Sequence, residues 1–163
     1  MQREIEIIQY HNQYQQQVID LILGIQQGEF NIPLTLTDQP DLEQIEDYYL
    51  VRNGNFYIAK DRDHIIGTIG ALDIGNQSLA LRKMFVDSKY RGSDKRISIT
   101  LLKTMIDYAR SRNIQFIYLG TTEAFKAAHR FYEKNNFHAI TPTDLPFNFP
   151  KVKVDTRYYR LDL

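Results

Sequence analysis

A tyrosine near the end of a short amphipathic helix is the residue of this sequence best suited to chemistry. Tyr132 lies in the segment 128–137, Ala-His-Arg-Phe-Tyr-Glu-Lys-Asn-Asn-Phe, which follows a predicted buried strand at 114–120. Polar residues 121–123 are expected to cap the helix. A phenol, with an ordinary pKa of about 10, keeps its proton at neutral pH and can donate it to a leaving group. The alternative is a helix whose apolar residues, Tyr132 included, simply face the core.

A cluster of basic residues is the second group that could do chemistry. It consists of Lys89, Arg91, Lys95 and Arg96. A helix is predicted to begin near Arg96, because apolar residues recur on one face from Ile97 to Ala109. Free amide groups and the helix dipole make a helix N-terminus attractive to anions such as a diphosphate. The alternative is a solvated loop.

The remaining elements must hold these residues in place. Alternation and turn residues predict strands at 4–9, 56–60, 64–73, 79–86, 114–120 and 152–161, with a further strand after residue 137. Helices are predicted to begin at Asn12, at Pro40, near Arg96 and after residue 123. Loops are predicted at 28–39 and 142–150, and a turn is predicted at 75–77. The order β-α-α-β-β-β-α-β-α-β-β indicates a mixed α/β fold.

Two segments resemble motifs of the GNAT family of acetyl-CoA-dependent N-acetyltransferases. The family's second cofactor motif reads Ala, then Leu or Phe, Tyr, a charged pair and Gly-Phe. The sequence matches that motif at Ala128, Phe131, Tyr132, Glu133, Lys134 and Phe137, with Asn136 where glycine is usual. Segment 81–92, Leu-Arg-Lys-Met-Phe-Val-Asp-Ser-Lys-Tyr-Arg-Gly, is similar to the family's fourth strand and the loop after it. The resemblance spans 78–140 and implies one GNAT domain over 1–163, with a mixed, mostly antiparallel sheet flanked by helices.

The resemblance also implies an acetyl-CoA site. In the family the fourth strand splays from its neighbour, so that backbone N–H groups, here of Met84, Phe85 and Val86, can bind the pantetheine amides and the developing oxyanion. The alternative is an ordinary strand with every backbone group paired. Tyr132 is expected to act as general acid toward the coenzyme thiolate. The other expected cofactor-binding residues come from the phosphate loop and the second motif: Arg91, Gly92, Ser93, Asp94, Lys95, Arg96, Ile97, Ser98, Phe125, Ala128 and Phe131.

The phosphate loop departs from the family pattern of Arg, two spacers, Gly, one spacer, then Gly or Ala. Aligning the paired leucines of the following helix puts Arg96 and Ser98 at the two glycine positions. The motif's arginine then falls on Ser93, unless Arg91 serves instead. The Arg96 side chain would either obstruct the approach of backbone to phosphate or point outward and pair with a phosphate.

The general base and the acceptor amine are not assigned. Many relatives carry a glutamate early in the fourth strand, where this sequence has Ala80. Candidate bases by rough location are Asp73, Glu29, Glu46 and His64. The acceptor pocket is expected between 26–49 and 142–150. Aromatic residues of these segments, which would line the pocket or fill the core, are Phe30, Tyr48, Tyr49, Phe147 and Phe149.

Composition limits the partners that we expect. Twenty basic and twenty acidic residues cancel, so no overall field recruits nucleic acid or an anionic membrane. The absence of cysteine suits a reducing cytoplasm, and His129 and His138 lack metal-ligand spacing. The first six residues do not resemble a signal peptide, and no apolar run is long enough to span a bilayer. We expect a cytoplasmic protein without a metal, and a homodimer is compatible with this expectation.

The expected function is transfer of an acetyl group from acetyl-CoA to a primary amine of a small molecule, peptide or protein. Two other classes stay open. One is a non-catalytic acyl-CoA-binding regulatory domain, which Arg96 and Ala80 motivate. The other is an interaction protein whose fold has no coenzyme function, and the motif around Tyr132 counts against it.

Overall fold

One sheet organises the chain. The computed structural model describes residues 5–92 and 96–163, and all the strands within them belong to a single seven-stranded sheet. The strands are Ile5–Gln9 (β1), Asn55–Asp61 (β2), His64–Gly75 (β3), Ser78–Val86 (β4), Phe116–Thr121 (β5), His138–Ile140 (β6) and Arg157–Asp162 (β7). They lie in the order β1-β2-β3-β4-β5-β7-β6. Within this sheet β4 and β5 are parallel and the other neighbours antiparallel, which confirms the predicted fold class.

Helices cover both faces of the sheet. They are Gln15–Leu23 (α1), Ile45–Tyr49 (α2), Ile97–Ser111 (α3) and Lys126–Lys134 (α4). A π-helical turn, Gly24–Glu29, continues α1, and a 3-10 turn, Pro40–Glu43, precedes α2. The order of strands and helices along the chain is the predicted one. In the described part of the chain, no helix has the length and apolar character needed to cross a membrane.

The core has two main layers, one on each face of the sheet. On one face α3 buries residues at helical spacing, and Leu101, Leu102 and Met105 are completely inaccessible to solvent. On the other face α1 and α2 pack against β2 and β3 through residues such as Val18 and Ile45. Because each buried aliphatic side chain stabilises the fold by about 1.5–3 kcal/mol, these layers hold the sheet rigidly enough to carry a site.

A tight turn sets the start of β4. Asn76 and Gln77 connect β3 to β4, and both have positive φ, 52° and 55°. Two consecutive residues of this kind form the turn whose twist matches a β-hairpin. The turn predicted at 75–77 is therefore present.

A bulge interrupts β4 at Lys83. Thr68 of β3 faces Phe85, whereas Gly70 faces Arg82, so β4 has one more residue than β3 between these two pairs. Lys83 has a φ of 56°, and its carbonyl oxygen accepts a hydrogen bond from the Thr68 hydroxyl at 2.6 Å. An extra residue of this kind bends a strand and re-aims the residues that follow it.

β4 and β5 diverge beyond the point where they pair. Within the described residues their ladder joins Ser78, Leu79 and Ala80 to 116–118 and then ends. β5 continues instead against β7, as far as the pair Thr121 and Arg157. The second half of β4 and the end of β5 therefore form the two walls of a cleft.

Some predicted boundaries and one predicted cap differ from the structure. The strand predicted at 152–161 begins only at Arg157, because 152–155 turns back on itself through a bond from the Asp155 amide to the Val152 carbonyl. Residues 121–123 do not cap α4, since Phe125 is its N-cap and no side chain accepts a bond there. The loop predicted from residue 28 starts later, because the π-helical turn continues to Glu29.

Candidate active site

The cleft between β4 and β5 brings most of the predicted site residues together. It has a volume of about 850 Å³. The predicted residues that line it are Met84, Phe85, Val86, Arg91, Gly92, Arg96, Ser98, Phe125, Ala128, Phe131 and Tyr132. Ile97 packs in the core instead, where it is 4% exposed. Ser93, Asp94 and Lys95 lie outside the described residues.

The β4 wall offers backbone groups to a ligand. In the described part of the sheet, β5 does not pair with β4 from Met84 to Val86, so the cleft side of this stretch is not occupied by a ladder. The Lys83 side chain is 6% exposed although the residue as a whole is half-buried, so its exposed atoms are mainly backbone. A free backbone edge of this kind can donate hydrogen bonds to amide and thioester carbonyls.

Tyr132 lies on the opposite wall of the cleft, and its phenol is protonated. The residue is 7% exposed, and its ring packs against Phe137 and Tyr159 at centroid distances of 5.4 and 6.1 Å. Burial raises the pKa of its phenol well above the usual value. Among the described residues the Tyr132 hydroxyl has no hydrogen-bond partner. A protonated donor without a protein acceptor is suited to protonate a group bound in the cleft.

The end of α4 fixes the position of Tyr132. Asn136 occupies the position where the second cofactor motif usually has glycine. Its φ of 71° lies in the left-handed region that Gly and Asn adopt most readily. This conformation lets the Phe137 amide donate to the Tyr132 carbonyl at 3.1 Å. The Phe137 ring is thereby brought back against Tyr132.

Arg96 stands at the N-terminus of α3 in a conformation that favours glycine. Its φ is 56°, its side chain makes no capping bond, and the residue is exposed. The glycine that the phosphate-loop pattern has at this position would adopt this φ without steric cost. The exposed side chain therefore leaves the cleft open.

Arg91 is already paired within the protein. Its Nε donates to the Val86 carbonyl at 2.8 Å, and its two terminal nitrogens both bind the Glu29 carboxylate. The guanidinium also lies over the Phe30 ring, 6.0 Å from the centroid. This ion pair ties the π-helical turn to the loop after β4 at the mouth of the cleft.

Three cations on α4 line the cleft although they were not predicted as site residues. Lys126, Arg130 and Lys134 line the cleft. They recur at intervals of four residues, which places them on one side of a helix, and this spacing was the signal that could have found them. Together with the N-terminus of α3 they provide positive charge for phosphate groups.

A buried polar network forms beneath the other end of the cleft. The side-chain amides of Gln26 and Gln39 donate to each other at 3.1 and 2.8 Å, and Gln39 also accepts from the Lys83 ammonium. Lys83 lies 3.7 Å from the Asp41 carboxylate, which accepts from the Tyr49 hydroxyl at 2.6 Å. Burial lowers the pKa of the Lys83 ammonium to about 8, although Asp41 acts to raise it.

A carboxylate that sequence reasoning missed also lines this end. Asp155 lies in the loop before β7, and a Cβ added to Gly120 would lie only 2.5 Å from its Oδ2 atom. Glycine at that position therefore leaves room for the carboxylate. Burial raises the pKa of Asp155 to about 6, although the Val152 amide, Arg82 and Lys83 all act to lower it. Asp155 was not among the predicted site residues, because it fell inside the strand predicted at 152–161.

None of the candidate bases named from the sequence lines the cleft in the described structure. Glu29 is paired with Arg91, and Asp73 accepts bonds from the amides of Asn53 and Gly75. Glu46 and His64 are exposed on α2 and on the β2–β3 hairpin. Proximity in sequence to the pocket segments was a poor guide, because none of these four residues belongs to the cleft lining.

Three of the five aromatic residues line the cleft or fill the core, as predicted, and two do neither. Phe30 and Phe149 line the cleft, and Phe30 packs edge-on against Phe125 at 4.9 Å. Tyr49 is fully buried core, whereas Tyr48 and Phe147 are exposed. Within the described residues, no cluster of three or more His, Asp or Glu could hold a metal ion.

The chain is similar to acetyltransferases of known sequence and structure. The acetyltransferase (GNAT) family model matches residues 20–137. The crystal structure of a GNAT-family acetyltransferase from Staphylococcus aureus Mu50 has 44% sequence identity and a TM-score of 0.94, over 98% of this chain and 99% of that chain. N-acetylaspartate synthetase from Xenopus tropicalis is 32% identical over 131 residues, 74% of this chain and 47% of that protein.

A more distant structure carries the coenzyme. The PaiA N-acetyltransferase of Thermoplasma acidophilum, crystallised with coenzyme A, shares the fold at 17% identity, with a TM-score of 0.71 over 98% of this chain and 99% of that chain. The chain spans less than half the length of the N-acetylaspartate synthetases that it matches. Because the family model covers most of the chain and the Staphylococcus structure covers nearly all of it, the chain belongs to the GNAT family of N-acetyltransferases.

Proposed function

We propose that this protein transfers an acetyl group from acetyl-CoA to a primary amine of a small molecule. The observation that carries the proposal is the cleft between β4 and β5, with the stretch Met84–Val86, which β5 does not pair with, on one wall and the unpartnered hydroxyl of Tyr132 on the other. The first supplies donors for a carbonyl that gains negative charge, and the second supplies a proton for a leaving thiolate.

The two ends of the cleft suit the two ends of acetyl-CoA. Cations of α4 and Arg96, beside the N-terminus of α3, would hold the phosphates. Apolar rings such as Phe125 and Phe131 line the way between them and β4. The coenzyme A bound by the Thermoplasma neighbour supports acetyl-CoA as the acetyl donor.

The acceptor enters from the end that carries Gln26, Gln39 and Asp155. The name of the N-acetylaspartate synthetase relatives supports a small-molecule amine at this position. Peptide and protein amines are the alternative acceptors. We also propose a cytoplasmic location, which the absence of cysteine supports.

Acetyl-CoA binding and turnover test the proposal together. At a coenzyme concentration about 100 times the dissociation constant, binding should stabilise the fold by about 2.7 kcal/mol and raise the melting temperature. Turnover is measured with a thiol reagent, which reports released coenzyme alone because the chain has no cysteine. Absence of calorimetric heat and of a melting shift would refute the proposal. Tight binding with no turnover across a broad amine panel would favour the non-catalytic acyl-CoA-binding alternative instead.

A further inference from the structure

Arg82, Gly120 and Asp155 share one face of the sheet. Arg82 is two residues from Ala80 on β4, ahead of the bulge, and Gly120 is two residues from Tyr118 on β5, so each points to the same side as that neighbour. Ala80 and Tyr118 belong to one small core cluster, on the face away from α3 and α4. The Asp155 carboxylate lies against Gly120 on this face.

Arg82 and Asp155, at this end of the cleft, can each still form an ion pair with a ligand. In the described structure no acidic group lies within ion-pair distance of Arg82, and no basic group lies within that distance of Asp155. Lys83 contacts Asp41 at 3.7 Å and also lines the cleft. Burying charges without direct partners is costly, so their presence in a cleft indicates that a ligand completes them.

The walls around these charges are apolar. Phe149, which belongs to the core cluster of Ala80 and Tyr118, lines the cleft, and so do Ile32, Leu34 and Val154. Electrostatic interactions inside such walls are stronger than in bulk water. A ligand that presents one negative and one positive group would match the site, whereas a polycation would be repelled by Arg82 and Lys83.

Building on the acetyl transfer proposed above, we propose that the acceptor is an amino acid, with its ammonium group bound and deprotonated by Asp155 and a carboxylate bound by Arg82. This assignment gives Asp155 the role of general base, which none of the candidates named from the sequence can fill.

The proposed step balances in protons and electrons. Asp155 takes one proton from the ammonium group, and the nitrogen lone pair then forms a bond to the thioester carbonyl carbon. As the carbon–sulfur bond breaks, the thiolate takes the proton of Tyr132. The nitrogen loses its second proton to the tyrosinate, which restores the phenol. Asp155 releases its proton to solvent, so the products are the N-acetyl amino acid, coenzyme A and one proton.

Several groups face the Asp155 carboxylate and set its proton affinity. Arg82 and Lys83 face it from β4, Tyr158 from β7, and the Val152 amide from its own loop. Burial outweighs the two cations and raises the pKa of Asp155 to about 6, close to the working range of a general base at neutral pH.

Matched acceptors test the carboxylate requirement. Each amino acid of a panel is compared with its primary amide, which keeps the amine and side chain and removes the negative charge. We expect kcat/KM to favour the acid at least tenfold in the wild type. In Arg82→Met the preference should fall toward unity, while coenzyme affinity stays unchanged. Equal activity on acids and amides in the wild type would overturn the carboxylate assignment.

Two variants test Asp155. Asp155→Asn should lower kcat/KM by a hundredfold to ten-thousandfold, the range for removing a general base, and abolish the rise of the rate through pH 6. Gly120→Ala should also slow turnover, because its Cβ would displace the carboxylate without removing it. The control is Asp107→Asn, on the exposed side of α3, which should leave the pH profile unchanged.

The outcomes separate this inference from the proposed function. If acetyl-CoA binds and amines are acetylated, but Asp155→Asn keeps the wild-type pH profile, the base assignment is wrong and the acetyltransferase proposal stands. If acetyl-CoA does not bind, both fail. The assignment is supported if the Asp155→Asn variant is folded and binds acetyl-CoA normally, but loses turnover and no longer shows the rise of the rate through pH 6.

Discussion

At the scale of single residues, Arg96 departs most from what a phosphate loop is expected to contain. Its left-handed conformation, with a φ of 56°, costs an L-residue about 1–2 kcal/mol relative to glycine. The carbonyl of Arg96 accepts bonds from the amide and hydroxyl of Thr100, at 3.1 and 2.6 Å, so the first turn of α3 holds the conformation. An exposed guanidinium at a helix N-terminus is placed to pair with a phosphate rather than to obstruct it.

Two substitutions of Arg96 separate the side chain from the backbone. Arg96→Ala removes the guanidinium and keeps the strained φ, whereas Arg96→Gly removes both. We expect each to weaken acetyl-CoA binding by about 1.5–3 kcal/mol, the range for a hydrogen bond to a charged group. The glycine variant should melt at a higher temperature than the alanine variant. Tighter binding by the glycine variant, measured by calorimetry, would instead show that Arg96 obstructs the loop.

At the scale of secondary-structure elements, the bulge in β4 decides where the cleft opens. Leu79 and Leu81 pack in the core beside α3, and so do Met84 and Val86 on the other side of the bulge. The interval of three residues between Leu81 and Met84 breaks the alternation of a regular strand. This break was a sequence signal for the bulge, and it distinguishes a splayed strand from an ordinary one.

The bond from Thr68 to the Lys83 carbonyl should hold the bulge in place. Thr68 is fully buried, so Thr68→Val leaves that carbonyl without its donor and should destabilise the fold by about 1–3 kcal/mol. Because Met84 to Val86 follow the bulge, we also expect weaker acetyl-CoA binding and a lower kcat. Thr68→Ser keeps the hydroxyl and should retain wild-type affinity. A valine variant that loses stability but keeps both affinity and kcat would show that the bulge does not depend on this bond.

At the scale of the whole molecule, the fold was predictable because local patterns carry it. The turn at 75–77 and the apolar face of α3 each depend on residues that are close in sequence, and both are present. The acceptor end was not predictable, because it joins residues that are distant in sequence. Arg82 lies on β4 and Asp155 in the loop before β7, yet the fold brings them close enough to interact electrostatically. No local spacing in the sequence indicates that they are neighbours.

The same distant carboxylate should make stability depend on pH. The pKa of Asp155 is raised from 3.8 to about 6, so the folded state binds its proton more tightly than the unfolded chain. Its contribution to stability is therefore present below pH 3.8 and is lost as the pH rises through about 6. The loss corresponds to at most about 3 kcal/mol.

Asp155→Asn should accordingly melt at a higher temperature than the wild type at pH 7, because the variant has no charge to bury. The difference should shrink when both proteins are melted near pH 4, where the wild-type carboxyl is largely protonated when folded. Scanning calorimetry at the two pH values measures it. A variant that is less stable than the wild type at pH 7 would show that the charged carboxylate stabilises the fold.

The variant Tyr132→Phe shows whether the phenol facing the cleft protonates the leaving thiolate. The measurement is kcat at saturating acetyl-CoA, with coenzyme affinity and melting temperature determined on the same sample. The ring and its packing on Phe137 and Tyr159 are kept, so affinity and melting temperature should stay near wild type. Since the interaction with the thiolate forms only as the bond breaks, kcat should fall by roughly tenfold to a thousandfold.

Tyr108→Phe is the matched control. It removes a tyrosine hydroxyl that donates to the Gly54 carbonyl at 3.0 Å, away from the cleft, and should lower the melting temperature with little effect on kcat. We expect opposite patterns in the two variants, a loss of rate for Tyr132→Phe and a loss of stability for Tyr108→Phe. Full activity in Tyr132→Phe, or a loss of rate matched by an equal loss of stability, would contradict the role of Tyr132 as general acid.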